Sequence, residues 1–209
     1  MNLDDFVFPG PELRQGIEYV CQGDRAFLQI EAEVGVLQVR RWPPGFASLV
    51  RTIVGQQLSA KAARAIFQRL NQLMELTPGG LAAASEADLK QAGLSRAKIA
   101  TCKQLADAIL TERLRLETLP SLPDAAIVAE LTQIKGIGPW TAEIYLLFCL
   151  ERLNSFPAAD LAIQVSYQML KGLDSRPTRQ EMTALVQPLE PYRGVVAHLL
   201  WHYYRFRAR

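Results

Sequence analysis

From Phe46 to Arg207 the apolar residues recur every three or four positions, in blocks separated by Pro, Gly and Ser. This is the pattern of amphipathic helices broken by turns. FASLVRTIVGQQ opens the series, and SAKAARAIFQRLNQLMEL follows with Ser59 as its N-cap. Thr77 to Gly80 closes that helix, and Ser85 and Ser95 cap the next two. Pro120 to Asp124 leads into IVAELTQI, after which TAEIYLLFCLERL, DLAIQVSYQMLKG, TRQEMTALVQPL and YRGVVAHLLWHYYRFR read as helices. Only Arg25 to Arg41 has strand character: AFLQIEAEV and GVLQVRR alternate in part, meet at Gly35 and predict a β-hairpin. The expected fold class is mainly α: two helical lobes with a cleft between them and a short N-terminal β-element. The element spans residues 1–45 and the helical core residues 46–209.

Composition narrows this picture. With 49% hydrophobic and 21% charged residues the chain of 209 residues is a folded, not a disordered, sequence. A formal net charge of +2 is too small for a global field, so any nucleic-acid surface is a local patch. Cys21, Cys102 and Cys149 stand far apart, which excludes a disulfide framework, a CxxC metal site and the four-cysteine ligation of an iron-sulfur cluster. Reduced, mostly buried thiols are expected. MNLDDFVFPG has no basic start followed by an apolar run, and no segment reaches the roughly 18 uninterrupted apolar residues of a spanning helix. A cytoplasmic monomer without membrane contact is the expectation.

The sharpest local signal is LTQIKGIGPWTAEIYLLF. An apolar helix end at Leu131 and Ile134 runs into Lys135, Gly136, Ile137 and Gly138, and a second helix starts at once with Pro139 in its first turn. Both glycines can take positive φ and bring bare backbone near another molecule, while the new helix points unsatisfied N–H groups outward. Such a turn suits one phosphate, with the main-chain N–H groups of Gly136, Gly138 and Thr141 as donors and Lys135 adding charge. The same residues also fit a plain glycine turn between helices.

This block resembles the hairpin of the helix-hairpin-helix (HhH-GPD) DNA glycosylases, and the likeness continues through FPAADLAIQ to Asp160. In that superfamily a catalytic aspartate at the start of a helix follows the hairpin after an interval like the one from Trp140 to Asp160. Upstream, RTIVGQQLSAKAA is similar to the segment that enters the minor groove, which implies a role for Gln57 and Leu58, with Ser59 beside them, in filling the gap left by a flipped base. The chain resembles the bacterial 3-methyladenine DNA glycosylase II type, with a shorter N-terminal element. The resemblance implies a monofunctional enzyme that removes alkylated bases of the 3-methyladenine and 7-methylguanine type from duplex DNA during base excision repair. For a bacterial protein it implies association with the nucleoid through DNA. The alternative is a helix-hairpin-helix DNA-binding module without catalysis.

Asp160 begins DLAIQVSYQML, where its bland role is an N-cap; the same position orients a carboxylate to stabilise a sugar cation or direct water. Trp140, Tyr192 and Trp201 are the candidates for a base pocket, since a cationic base attracts electron-rich rings and an ordinary base does not; each also fits core packing. Trp140 stands where bifunctional relatives usually carry a Schiff-base lysine, which implies no lyase step. The resemblance further implies a monovalent cation (Na or K) held by the main-chain carbonyls of Thr132, Ile134 and Ile137, with no cofactor for catalysis. His198 and His202 stand four apart without an HExxH pattern and read as structural or surface residues. The basic residues Lys61, Arg64 and Arg69 and the RFRAR tail are weaker candidates for phosphate contacts.

Overall fold

The side chains of Ser59, Ser85, Ser95 and Asp160 each accept a main-chain N–H three residues on, so all four expected N-caps open helices. The structure, a computed structural model, describes residues 6–207. Among these there are twelve α-helices and one two-stranded sheet. The chain divides into two compact units, Met1–Arg41 with Glu151–Arg209, and Trp42–Leu150. The expected boundary at residue 45 therefore gives way to a different one, in which the N-terminal residues fold with the C-terminal helices.

In the first unit, strand β1 (Phe6–Val7) is antiparallel to β2 (Val39–Arg40). Between them lie α1 (Pro11–Gly23) and α2 (Leu28–Val34). This corrects the hairpin expected over Arg25 to Arg41. From Arg25 to Val34 the buried positions are Phe27 and Ile30, three apart, while Leu28 is 51% exposed, so the inward face of that part has helical and not strand period. The Asp24 side chain accepts the Ala26 N–H to start the turn, and Gly35 at φ +83 ends α2. The remaining helices of this unit are α10 (Leu161–Lys171), α11 (Arg179–Val186) and α12 (Arg193–Arg207). α12 is its centre: Val195, Val196, Ala197, Leu199, Leu200 and Tyr203 are buried, and the Ser166 hydroxyl donates to the Leu200 carbonyl at 2.7 Å to tie α10 to it.

The Trp42–Leu150 unit contains α3 (Phe46–Gly55), α4 (Ala60–Leu73), α5 (Pro78–Ala83), α6 (Glu86–Gln91), α7 (Arg96–Leu110), α8 (Asp124–Thr132) and α9 (Pro139–Cys149). α3 contributes Leu49, Val50, Ile53 and Val54 to a core shared with α4, α7 and α9. Thr77 to Gly80, expected to be a helix stop, also starts a helix: the Thr77 hydroxyl accepts the Gly80 N–H and α5 follows. Cys102 and Cys149 are buried and Cys21 half-buried, all three as free thiols. Among the described residues no helix is long and apolar enough to cross a membrane.

His198 is buried, and desolvation together with the Arg40 charge lowers its pKa from 6.5 to about 3. His202 is shifted down as well, first by burial. In the unfolded chain both take a proton near 6.5; in the native chain His198 stays neutral down to about 3. Stability is thus fully present above pH 6.5 and falls as pH drops below it, by up to about 1.4 kcal/mol per pH unit for His198, with His202 acting in the same direction. Urea denaturation between pH 7 and pH 4.5, before most carboxylates titrate, is expected to show this slope, and His198→Gln to reduce it. A wild-type midpoint flat across that window would contradict the assignment.

Candidate functional site

The glycine turn belongs to the Trp42–Leu150 unit. Burial of Leu131, Ile134 and Ile137 folds the end of α8 back. The N–H groups of Gln133, Ile134 and Ile137 donate to the carbonyls of Glu130, Leu131 and Ile134 at 3.3, 3.2 and 2.9 Å, a run of tight three-residue turns. Gly136 has φ +95 and lies against Thr101 of α7, where a Cβ would overlap the threonine hydroxyl. Conformation and space each require glycine. Gly138, expected to share positive φ, instead has φ −97 and ψ 176 as N-cap of α9, and a Cβ there would meet nothing within 4 Å.

Among the described residues the N–H groups of Gly136 and Gly138 have no partner, which leaves two donors for an external acceptor. Thr141, expected as a third, is not one: its N–H donates to the Gly138 carbonyl at 3.0 Å and its side chain is buried. Lys135 is exposed beside the turn. The Ile134 carbonyl accepts the Ile137 N–H, whereas among the described residues no donor reaches the carbonyls of Thr132 and Ile137.

The segment between α3 and α4 displays the expected wedge residues. Gln57 takes φ +55, a left-handed conformation that costs a non-glycine residue on the order of 1 kcal/mol. Gln57 and Leu58 are exposed, and the Ser59 hydroxyl accepts the Ala62 N–H at 3.3 Å to cap α4. Two further residues set this turn. Gln56 Nε2 donates to the Gly136 carbonyl and to Thr141 Oγ1, both at 3.0 Å. Lys98 Nζ donates to the carbonyls of Val54 and Gln56, both at 2.8 Å, which places a cation on the negative end of α3. Burial holds Lys98 below the ordinary lysine pKa, a shift opposed by nearby Cys102. Trp140, second residue of α9, is half-buried. Arg69 donates to the Ala92 carbonyl at 2.8 Å, so its guanidinium already has a role in the fold.

In the first unit, FPAAD forms a tight turn: the Ala158 N–H donates to the Phe156 carbonyl and the Asp160 N–H to that of Pro157, both at 2.9 Å. Gln164 Nε2, buried, braces it through the Ala158 carbonyl at 2.9 Å. Asp160 Oδ1 then accepts two donors at 3.1 Å, the Ile163 N–H and the Trp201 Nε1–H. The half-buried carboxylate is therefore fixed from α10 and α12 together.

Trp201, expected among base-stacking rings, is placed as a partner of that carboxylate, with its ring edge-on to His198 at 6.2 Å. Tyr192 packs against α1. Its ring lies 5.3 Å from that of Tyr19, and a Cβ on Gly16 would come within 2.8 Å of it. This half-buried tyrosine thus has a packing role on α1. His198 and His202 are both buried and not surface residues; the Gly35 carbonyl accepts from His202 Nε2 at 3.1 Å. Of the basic tail, Arg205 lies over the Phe6 ring at 4.3 Å and Arg207 pairs with Glu33 at 3.4 Å, while Ala208 and Arg209 lie outside the described residues. Among the described residues no group of three or more His, Cys, Asp or Glu side chains is arranged to hold a metal ion.

Comparison with known proteins adds to this geometry. Residues 50–191 match the model of the HhH-GPD superfamily base excision DNA repair protein. Over 161 residues the chain is 33% identical to DNA-3-methyladenine glycosylase 1 of Schizosaccharomyces pombe, covering 75% of this chain and 71% of that protein. A solved structure of the 3-methyladenine DNA glycosylase of the same yeast, in complex with abasic DNA, superposes with a TM-score of 0.84 at 29% identity and covers 90% of this chain and 95% of that one. The DNA-3-methyladenine glycosidase of Bacillus halodurans gives a TM-score of 0.77 at 30% identity, covering 97% and 94%.

Proposed function

Because the chain belongs to the HhH-GPD superfamily of base excision DNA repair proteins, we propose that it is a monofunctional DNA glycosylase that hydrolyses the N-glycosidic bond of alkylated bases in duplex DNA. The observation that carries the reading is the Asp160 carboxylate, capped onto α10 and held by the Trp201 indole N–H.

A base inside a duplex is reached only after extrusion, which needs a backbone clamp, a wedge and a reacting group. Gly136 and Gly138 supply two main-chain donors for a phosphate, with Lys135 adding a charge. Gln57 and Leu58 are the wedge, displayed on a turn whose backbone is fixed from both sides. The C1′–N bond then breaks with its electron pair going to the base. An alkylated purine that is already cationic leaves as a neutral molecule, so no second acid is needed, unlike the paired carboxylates of sugar hydrolases. Positive charge develops on the sugar, Asp160 stabilises it, and water adds to C1′ with loss of a proton. Trp140 supports a ring contact with the cationic base.

The two carbonyls without donors at Thr132 and Ile137, with Ile134 between them, suit a hard monovalent cation, because neutral carbonyl oxygens are its natural ligands. Bound there, it would support the turn and neutralise phosphate charge.

The test is a set of duplexes each carrying one lesion, 3-methyladenine, 7-methylguanine, ethenoadenine or hypoxanthine, against undamaged DNA. Free alkylated base is expected, with the abasic strand intact until alkali is added and no covalent adduct on borohydride treatment. Strand scission without alkali, or a trapped protein-DNA adduct, would contradict the monofunctional assignment. Release from none of the alkylated duplexes would contradict the substrate class.

A further inference from the structure

Gln56 stands between two segments that the proposed function assigns to DNA, and it is bonded at both ends. Its main-chain carbonyl accepts Lys98 Nζ from α7, as does the carbonyl of Val54. Its side-chain amide donates across to the hairpin, at the Gly136 carbonyl and Thr141 Oγ1. Gln57, the next residue, is the one in the left-handed conformation. Three positions beyond Lys98, Thr101 fills the space against Gly136, and its own hydroxyl is tied to the Ala97 carbonyl at 3.0 Å. One face of α7 therefore backs the turn at Gln56 through Lys98 and the hairpin through Thr101. The turn and the hairpin have a common support, and one amide bridges them directly.

We propose that Gln56 is a positioning residue that couples the exposed turn at Gln57 and Leu58 to the glycine hairpin, so that capture of a phosphate and entry of the wedge into the base stack occur as one cooperative event. The inference rests on the reading that both segments contact DNA. An amide suits the task because it offers two N–H donors, and the bridge uses them on two acceptors that belong to the hairpin. If either segment shifts without the other, both bonds are lost. The Gly136 carbonyl lies in the chain between the Gly136 and Gly138 N–H groups, so the bridge anchors the turn that carries both phosphate donors while it fixes the origin of the wedge.

The experiment is a double-mutant cycle on binding to a duplex carrying a stable tetrahydrofuran abasic analogue. Leu58→Ala, Lys135→Ala and the pair are measured with Gln56 present and again with Gln56→Met, which keeps the length and apolar stem but has no donor. With Gln56 present, the pair is expected to lose about fivefold less affinity than the product of the two single losses. With Gln56→Met the losses are expected to multiply. Gln56→Glu repeats the cycle with a side chain that keeps the shape and cannot donate when ionised, so a poorly folded methionine variant does not decide the matter. A role confined to stability would lower the melting temperature without changing the cycle. If each single variant weakens binding but the losses multiply with Gln56 present, or the fivefold discrepancy survives in both replacements, the coupling is overturned while the DNA-binding reading stands. If neither Leu58→Ala nor Lys135→Ala weakens binding at all, both fall together.

Discussion

Replacement of Gly136 by alanine is expected to destabilise the Trp42–Leu150 unit by about 2 to 4 kcal/mol, through positive-φ strain and steric overlap acting at one atom. With φ +95 the backbone is outside the region L side chains adopt readily, and the new Cβ would overlap Thr101 Oγ1 while sitting 3.0 Å from both Thr101 Cβ and Cγ2. Thr101 has little room to yield, because it is 6% exposed and its hydroxyl is bonded to the Ala97 carbonyl. Gly138→Ala is the control. At φ −97 with nothing within 4 Å of the added Cβ, it is expected to denature close to the wild type and to weaken DNA binding alone, because it adds a methyl to a residue whose N–H is proposed to meet a phosphate. Urea denaturation of both variants tests this, and equal midpoints for Gly136→Ala and wild type would contradict it. The two glycines of one GxG thus separate into a requirement of the fold and a requirement of approach.

How much of this was legible in the sequence depends on the range of the interactions involved. Ser59, Ser85, Ser95 and Asp160 were readable as caps because a cap is decided within four residues. The Lys135–Gly138 turn was readable because Gly-x-Gly-Pro between apolar helix ends has few other uses. Arg25–Val34 misleads because Leu28, Ile30, Ala32 and Val34 alternate, and only packing shows that Phe27 and Ile30 are the inward pair of that part. α1 escaped notice although Leu13, Gly16 and Val20 carry its buried stripe, because a glycine sits where an apolar side chain would mark the face; Tyr192 fills that space.

The candidate site divides along the same line. Asp160 was found from its spacing and its place before a helix, both local properties. Gln56 is not legible in the sequence, since its partners are 80 and 85 residues away and a glutamine beside another glutamine gives no sign of which one makes the contacts. The chemistry of its ring nominates Trp201 for a base pocket, and the structure adds that its N–H is used on a residue 41 positions upstream. Ring chemistry likewise nominates Tyr192, whose ring packs on α1. Residue type is enough to nominate an aromatic, but long-range contacts decide what it does.

Asp160→Asn separates charge from architecture. Asparagine caps a helix about as well as aspartate, and its carbonyl oxygen can accept both the Ile163 N–H and the Trp201 Nε1–H, so the fold is expected to survive. What is lost is the negative charge beside the developing sugar cation, an effect of about 10²- to 10³-fold in rate. Binding to lesion DNA is expected to persist or tighten, because a carboxylate near phosphates is also repelled by them. The loss should be smallest for 7-methylguanine, whose own positive charge weakens the glycosidic bond, and largest for a neutral lesion such as ethenoadenine or hypoxanthine if the wild type accepts one. The measurement that bears most directly on the proposed chemistry is the single-turnover excision rate of Asp160→Asn and wild type at saturating enzyme on one 3-methyladenine duplex. The account predicts a fall of at least about a hundredfold with unchanged melting temperature and undiminished affinity; a folded, DNA-binding variant that excises at the wild-type rate would contradict it.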